Sequence, residues 1–239
     1  MLHETQGLVL RTVRYGESSV IVNIFTELFG IQSYLVNGVR TANAKSSKAN
    51  LLQPANQLEL VTYHRDGGHL QRLKDFRYAY LYRSLYADVV KNAIALYLVE
   101  LMDKTLRQPE AHPELFHFVC EALQWMDGSG KGTGNLPLLL SLRVGELLGF
   151  GFYGKYCPAT PYLDLKEGFF TAEPPSHTHF LDEPCSRLTD RLLRLKDFDA
   201  LKDIPVDKPT RHRLLAAYQD YYYLHLPDFK GLKSPKILA

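Results

Sequence analysis

The chain has 239 residues, enough for two small domains or one large one with a core of its own. Its 46% hydrophobic and 23% charged residues are those of an ordinary soluble globular protein. No uncharged apolar stretch reaches the roughly 18 residues that would suggest a membrane span. Glu4 stands where a signal peptide would want positive charge, so a cytoplasmic protein is expected. Cys120, Cys157 and Cys185 are odd in number and form no C-x-x-C pair, which excludes a disulfide framework and suits a reducing compartment. The net charge of +2 is unevenly spread. The first 80 residues hold nine Lys/Arg against six Asp/Glu, the remainder nineteen against twenty. A surface for a polyanion is therefore expected in the N-terminal third.

In chain order, the first 80 residues have the character of β-structure. "GLVLRTV" and "SSVIVNIFT" are rich in β-branched residues in near-alternation. The short "ELFG" connection predicts a hairpin with "IQSYLVNG", and "NQLELVTYH", the turn "RDGG" and "HLQRLKDFRYAY" complete five strands. Five short, successive, hairpin-like strands suggest a small closed barrel. From residue 81 the period changes to helical. A long helix is expected over "YRSLYADVVKNAIALYLVELMDKTLRQ", a second ending at Gly128, a Leu-rich third, and two more starting near Asp182 or Ser186 and near Pro209 or Thr210. Residues 153–185 are Pro-rich and read as irregular. The expectation is an α+β chain: a five-stranded OB-fold barrel over 1–80, then an all-α helical domain over 81–239 with an irregular insertion.

Motifs for catalysis are absent. "GSGKGTG" lacks the G-x-x-x-x-G-K-[ST] spacing and follows a helix, so it is a linker rather than a phosphate loop. Cys157, His177, His179 and Cys185 offer only a poor i,i+2 pair for zinc, and Thr160 stands where a C-x-x-C would place its second thiol. A metal-free loop is expected there, with no cofactor. "QDYYYLHL" contains three adjacent Tyr that point in three directions on a helix, which favours packing over stacking.

The N-terminal region differs. "VNGVRTANAKSSKANLLQPANQ" carries Arg40, Lys45 and Lys48, and no acid occurs between Glu27 and Glu59. Barrels of this class hold single strands by a basic groove for phosphates and exposed aromatics for bases. The expected DNA-binding residues are Arg40, Lys45, Lys48, Arg11, Arg14, Arg72 and Lys74, with Tyr34 as a stacking residue. Tyr15, Phe29 and Tyr63 are further candidates for stacking. The same composition also suits a solvated basic face on a protein-interaction adaptor that never meets nucleic acid.

"GLVLRTVRYGESSVIVNIFTELFGIQSYLVNGVR", "LLQPANQLEL", "LLLSLRVGELLGFGFYGKYC" and "YYYLHLPDFKGLKSPKIL" resemble, in order, segments of the RecO family of bacterial recombination mediators. The resemblance implies an N-terminal OB fold and a helical domain with no enzymatic activity. It implies binding of single- and double-stranded DNA, annealing of complementary strands, and contact with the C-terminal tail of the single-strand-binding protein SSB. With RecR, such proteins help load RecA onto coated DNA. The implied location is the cytoplasm, at the nucleoid during repair. Metal-bearing members carry C-x-x-C twice between the Leu-rich helix and the C-terminal helix, whereas here only Cys157 stands in place, with Cys185 at one position of the second pair. The SSB-tail pocket is expected in the helical domain, where Arg143 could meet the terminal carboxylate.

Overall fold

The computed structural model describes residues 1–39, 47–65, 67–68 and 70–236. The chain forms two compact units, one of Met1–Asp88 with Leu98–Asp127 and the other of Val89–Tyr97 with Gly128–Ala239.

The first unit contains the barrel. Its strands are Leu2–Tyr15 (β1), Ser19–Thr26 (β2), Gly30–Val36 (β3), Gln57–Tyr63 (β4) and Gln71–Tyr78 (β5), closed in the order β1-β2-β3-β5-β4 with β4 back on β1. The β2–β3 hairpin forms as its sequence predicts, Thr26 pairing with Gly30. The strands do not simply follow one another as hairpins. β3 pairs in parallel with β5, and β1 pairs with both β2 and β4. The barrel is closed between β3 and β5 over the pairs Tyr34–Gln71 and Leu35–Arg72, which covers part of the edge that an open meander of five short strands would expose.

At 14 residues β1 is long enough to serve two partners. Its first half lies on β4, its second on β2, and the register shifts between Val9 and Arg11. Gly7 sits where the strand passes between them. A Cβ there would lie 2.6 Å from Ile24 Cγ2 and 2.7 Å from Leu60 Cδ1, so the close approach needs glycine. The interior packs Val9, Val20, Val22, Ile24, Tyr34, Val36, Leu52, Leu58 and Leu60. Leu52 arrives from a short helix, Ser47–Leu51 (α1), that the sequence reading did not anticipate.

Two longer helices follow, Val89–Thr105 (α2) and Pro113–Gly128 (α3). The sequence predicts α2 to start near residue 82, but the structure starts it at Val89. The carboxylate of Asp127, on α3, accepts from the backbone N–H groups of Arg83, Ser84 and Leu85 at 2.8–2.9 Å. Those three N–H groups converge on one side chain instead of entering a helical ladder.

In the second unit, Leu136–Leu147 (α4) is buried almost all round, as its run of leucines predicts. The segment 153–185 is more regular than its Pro content suggests. Tyr162–Asp164 (β6), Phe169–Thr171 (β7) and Phe180–Leu181 (β8) form a three-stranded sheet in the order β7-β6-β8. Its first turn is set by Asp164, whose Oδ1 accepts from Lys166 N and Glu167 N, and by Gly168 at φ +79°. Glu183–Leu193 (α5) and Lys208–His225 (α6) follow. Asp182 precedes α5 as its N-cap residue, and Asp207 caps α6 by accepting from Thr210 N at 2.8 Å. The three adjacent tyrosines of α6 do diverge. Tyr221 donates to Phe150 O, Tyr222 donates to Ser141 O, and Tyr223 is exposed.

Candidate nucleic-acid interface

Alternation along β1 separates two of the expected basic residues. Arg14 pairs with Val20 and Arg11 with Asn23. Val20 belongs to the barrel interior, so Arg14 shares the inward-facing set at an open end of the barrel, whereas Arg11 is on the outer face. Outward from Arg11 runs a polar row across three strands. Asn23 lies opposite Arg11 on β2, Ser33 lies opposite Asn23 on β3, and Ser33 Oγ donates to Asn23 Oδ1 at 2.9 Å.

This face opens into a cleft of about 630 Å³. Arg11, Asn23 and Ser33 line it from the barrel, Arg65 from the β4–β5 connection, Gln71 from the start of β5, and Lys104 and Arg107 from the end of α2 and the residues after it. Asp103 is the one acid among the described residues of the lining. Gln71 is buried, and its side chain fastens the connection. Its Oε1 accepts from Arg65 N at 3.1 Å, while its Nε2 donates to Arg65 O at 2.8 Å and to Gly68 O at 3.0 Å. The backbone that carries Arg65 is thus held before any ligand arrives, which lowers the entropy cost of contact.

A second concavity adjoins the first through shared His64, Arg65 and Gln71, and adds Tyr63 and Arg72. Tyr63 and Arg72 are direct cross-strand partners and both are exposed. A planar ring beside a cation is the pairing that a base and its phosphate require. Lys74 falls where the β4–β5 register shifts and is exposed. Lys48 is exposed on α1. Arg40 and Lys45 lie outside the described residues.

Tyr34 is a correction. It is wholly buried in the barrel core, and burial pushes its phenol pKa up to about 12. Period-2 alternation places it on the same face as Gln32 and Val36, inward, so it cannot meet a base. Phe29 is also engaged, stacked on His64 at 3.9 Å between centroids and edge-on to His3 at 5.2 Å. Tyr15 and Tyr63 keep exposed rings.

The opposite outer face of the barrel has the other sign. Gln6, Glu59 and Arg77 align across β1, β4 and β5, as do Glu4, Val61 and Asp75. Arg77 Nε donates to Glu59 Oε2 at 2.6 Å, so its charge is met locally. Glu4, Glu27, Glu59 and Asp75 line this side. A polyanion is repelled here and drawn to the Arg11 face. Sequence reasoning named Arg11 and Arg72 but missed Lys104 and Arg107. They lie at the end of a helix and just after it, remote in sequence from the barrel, and charge alone could not place them.

The residues weighed for zinc do not fit a metal. Cys157 Sγ lies 3.1 Å from Thr160 Oγ1, His177 Nε2 pairs with Asp164 Oδ2 at 3.3 Å, and Cys185 is buried on α5. Among the described residues no three His, Cys, Asp or Glu side chains gather as ligands. Arg143 is likewise committed, to Glu146 Oε2 at 2.6 Å and to Leu195 O at 2.8 Å. Among the described residues no helix is long and apolar enough to cross a membrane.

The family model described as "Recombination protein O N terminal" matches residues 1–82, and "Recombination protein O C terminal" matches 86–235. The chain is 31% identical over 243 residues to a DNA repair protein RecO of Phocaeicola vulgatus, covering 100% of this chain and 98% of that one. The same name belongs to a relative in Christiangramia forsetii, 30% identical over 238 residues with 100% and 98% covered. A third, from Flavobacterium johnsoniae, is 31% identical over 236 residues with 98% and 97% covered.

Proposed function

Because this chain belongs to the RecO family, we propose that it is a non-enzymatic mediator of recombination in DNA repair. In this reading the OB barrel binds single- and double-stranded DNA and anneals complementary strands. The protein also contacts the SSB C-terminal tail and, with RecR, helps RecA onto SSB-coated single strands in the bacterial cytoplasm. The chemistry asked of the chain is competition for phosphates, which needs fixed cations and no nucleophile. The observation that carries the reading is the segregation of charge on the barrel. Arg11 and the polar row Asn23–Ser33 occupy one outer face, and Glu4, Glu59 and Asp75 occupy the other. Arg14, Lys48, Arg72 and Lys74 add exposed cations.

If three to five phosphates are neutralised, log affinity for a single strand falls with log salt at a slope of roughly −2 to −3.5. The functional test is annealing of complementary oligonucleotides coated with SSB, with and without the protein. Acceleration is expected. No acceleration, with no oligonucleotide binding at low salt, would overturn the reading in favour of a protein-interaction adaptor.

A further inference from the structure

We infer that the cleft walled by the β4–β5 connection and the end of α2 is the track for the backbone of a single strand, with Arg11, Arg65, Lys104 and Arg107 as its phosphate contacts. This inference rests on the DNA-binding reading above and assigns a strand state and a path to it. Three observations converge. The lining cations come from three separate places in the chain, β1, the β4–β5 connection and the α2 end, yet they face one concavity. Among the described residues of the lining, Asp103 is the one acid, against the four cations Arg11, Arg65, Lys104 and Arg107. The concavity continues, through Arg65 and Gln71, to Tyr63 and Arg72, where an exposed ring stands beside a cation.

Geometry decides between strand states. A cleft of about 630 Å³ bounded by a barrel on one side and a helix end on the other admits a flexible polynucleotide chain. A duplex is a stiff rod with its phosphates outermost and a persistence length of about 50 nm, so it cannot bend into such a recess without cost. Gly67 and Gly68 in the lining present no side chain, which lets a phosphodiester approach their backbone closely. In a single strand seated this way, the sugar-phosphate chain runs over Arg11, Arg65, Lys104 and Arg107. The bases are then left free to stack at Tyr63 or to pair with a complement.

The test uses the full chain and a dT oligonucleotide of roughly 16 nucleotides, beside a duplex of equal length. Lys104→Gln with Arg107→Gln is expected to make the single-strand salt slope shallower by about 1.4, at about 0.7 per lost contact, and to leave the duplex slope unchanged. A second measurement needs no variant. Acetylation of Lys104 in the wild-type protein, followed by mass spectrometry, is expected to slow at least fivefold when dT is bound. Equal flattening on both nucleic acids would overturn the single-strand assignment. Unchanged slopes with Lys104 acetylated at the free rate, in a wild type that binds dT, would overturn the cleft and leave the mediator reading standing. A wild type that binds no oligonucleotide would remove the mediator reading and this inference with it.

Discussion

Tyr34 and Tyr63 both flank β5, opposite Gln71 and Arg72 respectively, and the single step in register sends them to opposite faces. Tyr34 fills the barrel, whereas Tyr63 stands exposed beside a cation. The two alanine variants should therefore fail in different assays. Tyr34→Ala is expected to cost roughly 3–5 kcal/mol of stability, because it empties a core site. Tyr63→Ala is expected to change stability by no more than about 0.5 kcal/mol. It should instead lose roughly 1–3 kcal/mol of single-strand affinity, the worth of one stacked base. Urea unfolding and oligonucleotide titration of both variants check this, and a Tyr63 variant with wild-type affinity would count against stacking there.

At the scale of elements, Asp127 links the chain before α2 to α3. Burial alone would raise its pKa, but the N–H groups of Arg83, Ser84 and Leu85 and the Ser84 hydroxyl outweigh that and hold it below the ordinary carboxylate value. The sign follows from linkage. A carboxyl with a depressed folded-state pKa stabilises fully above its unfolded value near 3.9, and the contribution fades as pH falls through the folded value. Asp127→Asn should therefore cost about 2 kcal/mol at pH 7, the scale of hydrogen bonds to a charge. Its deficit relative to wild type should shrink below about pH 4. Urea midpoints from neutral to acid pH measure it, and a deficit independent of pH would show that the charge is not what holds residues 83–85. The sequence predicts helix across this region because 85, 89, 93, 96, 97 and 101 share a face. It could not show that a carboxylate more than 40 residues onward would take the first N–H groups.

For the barrel as a whole, what matters is which face carries which charge. If the strand runs on the Arg11 face, the acids opposite take no part in releasing counterions. Glu4→Gln, Glu59→Gln and Asp75→Asn together should leave the single-strand salt slope unchanged, because the slope counts neutralised phosphates. A slope altered by a unit or more would mean that nucleic acid touches that face. The expected basic loop contributes only Lys48 to the described surface, since Arg40 and Lys45 lie outside it. Arg65, Lys104 and Arg107 are the cations that line the cleft beside Arg11.

The sequence by itself determined the five strands, the change to helix after residue 80, the packing role of the α6 tyrosines and the family. Those properties rest on alternation, helical period and ordered motifs, all written in neighbouring residues. The small sheet within 153–185 was not legible, because its strands of two and three residues are too short to show a period. Tertiary structure alone decided the barrel's strand order, with β3 parallel to β5, and the fate of Tyr34. It also decided the separation of Arg11 from Arg14 and the meeting of β1, the β4–β5 connection and the end of α2 at one cleft. Strand order, register and the placing of a distant helix are set by long-range packing, and a charge along the chain acquires a face only when that packing is made.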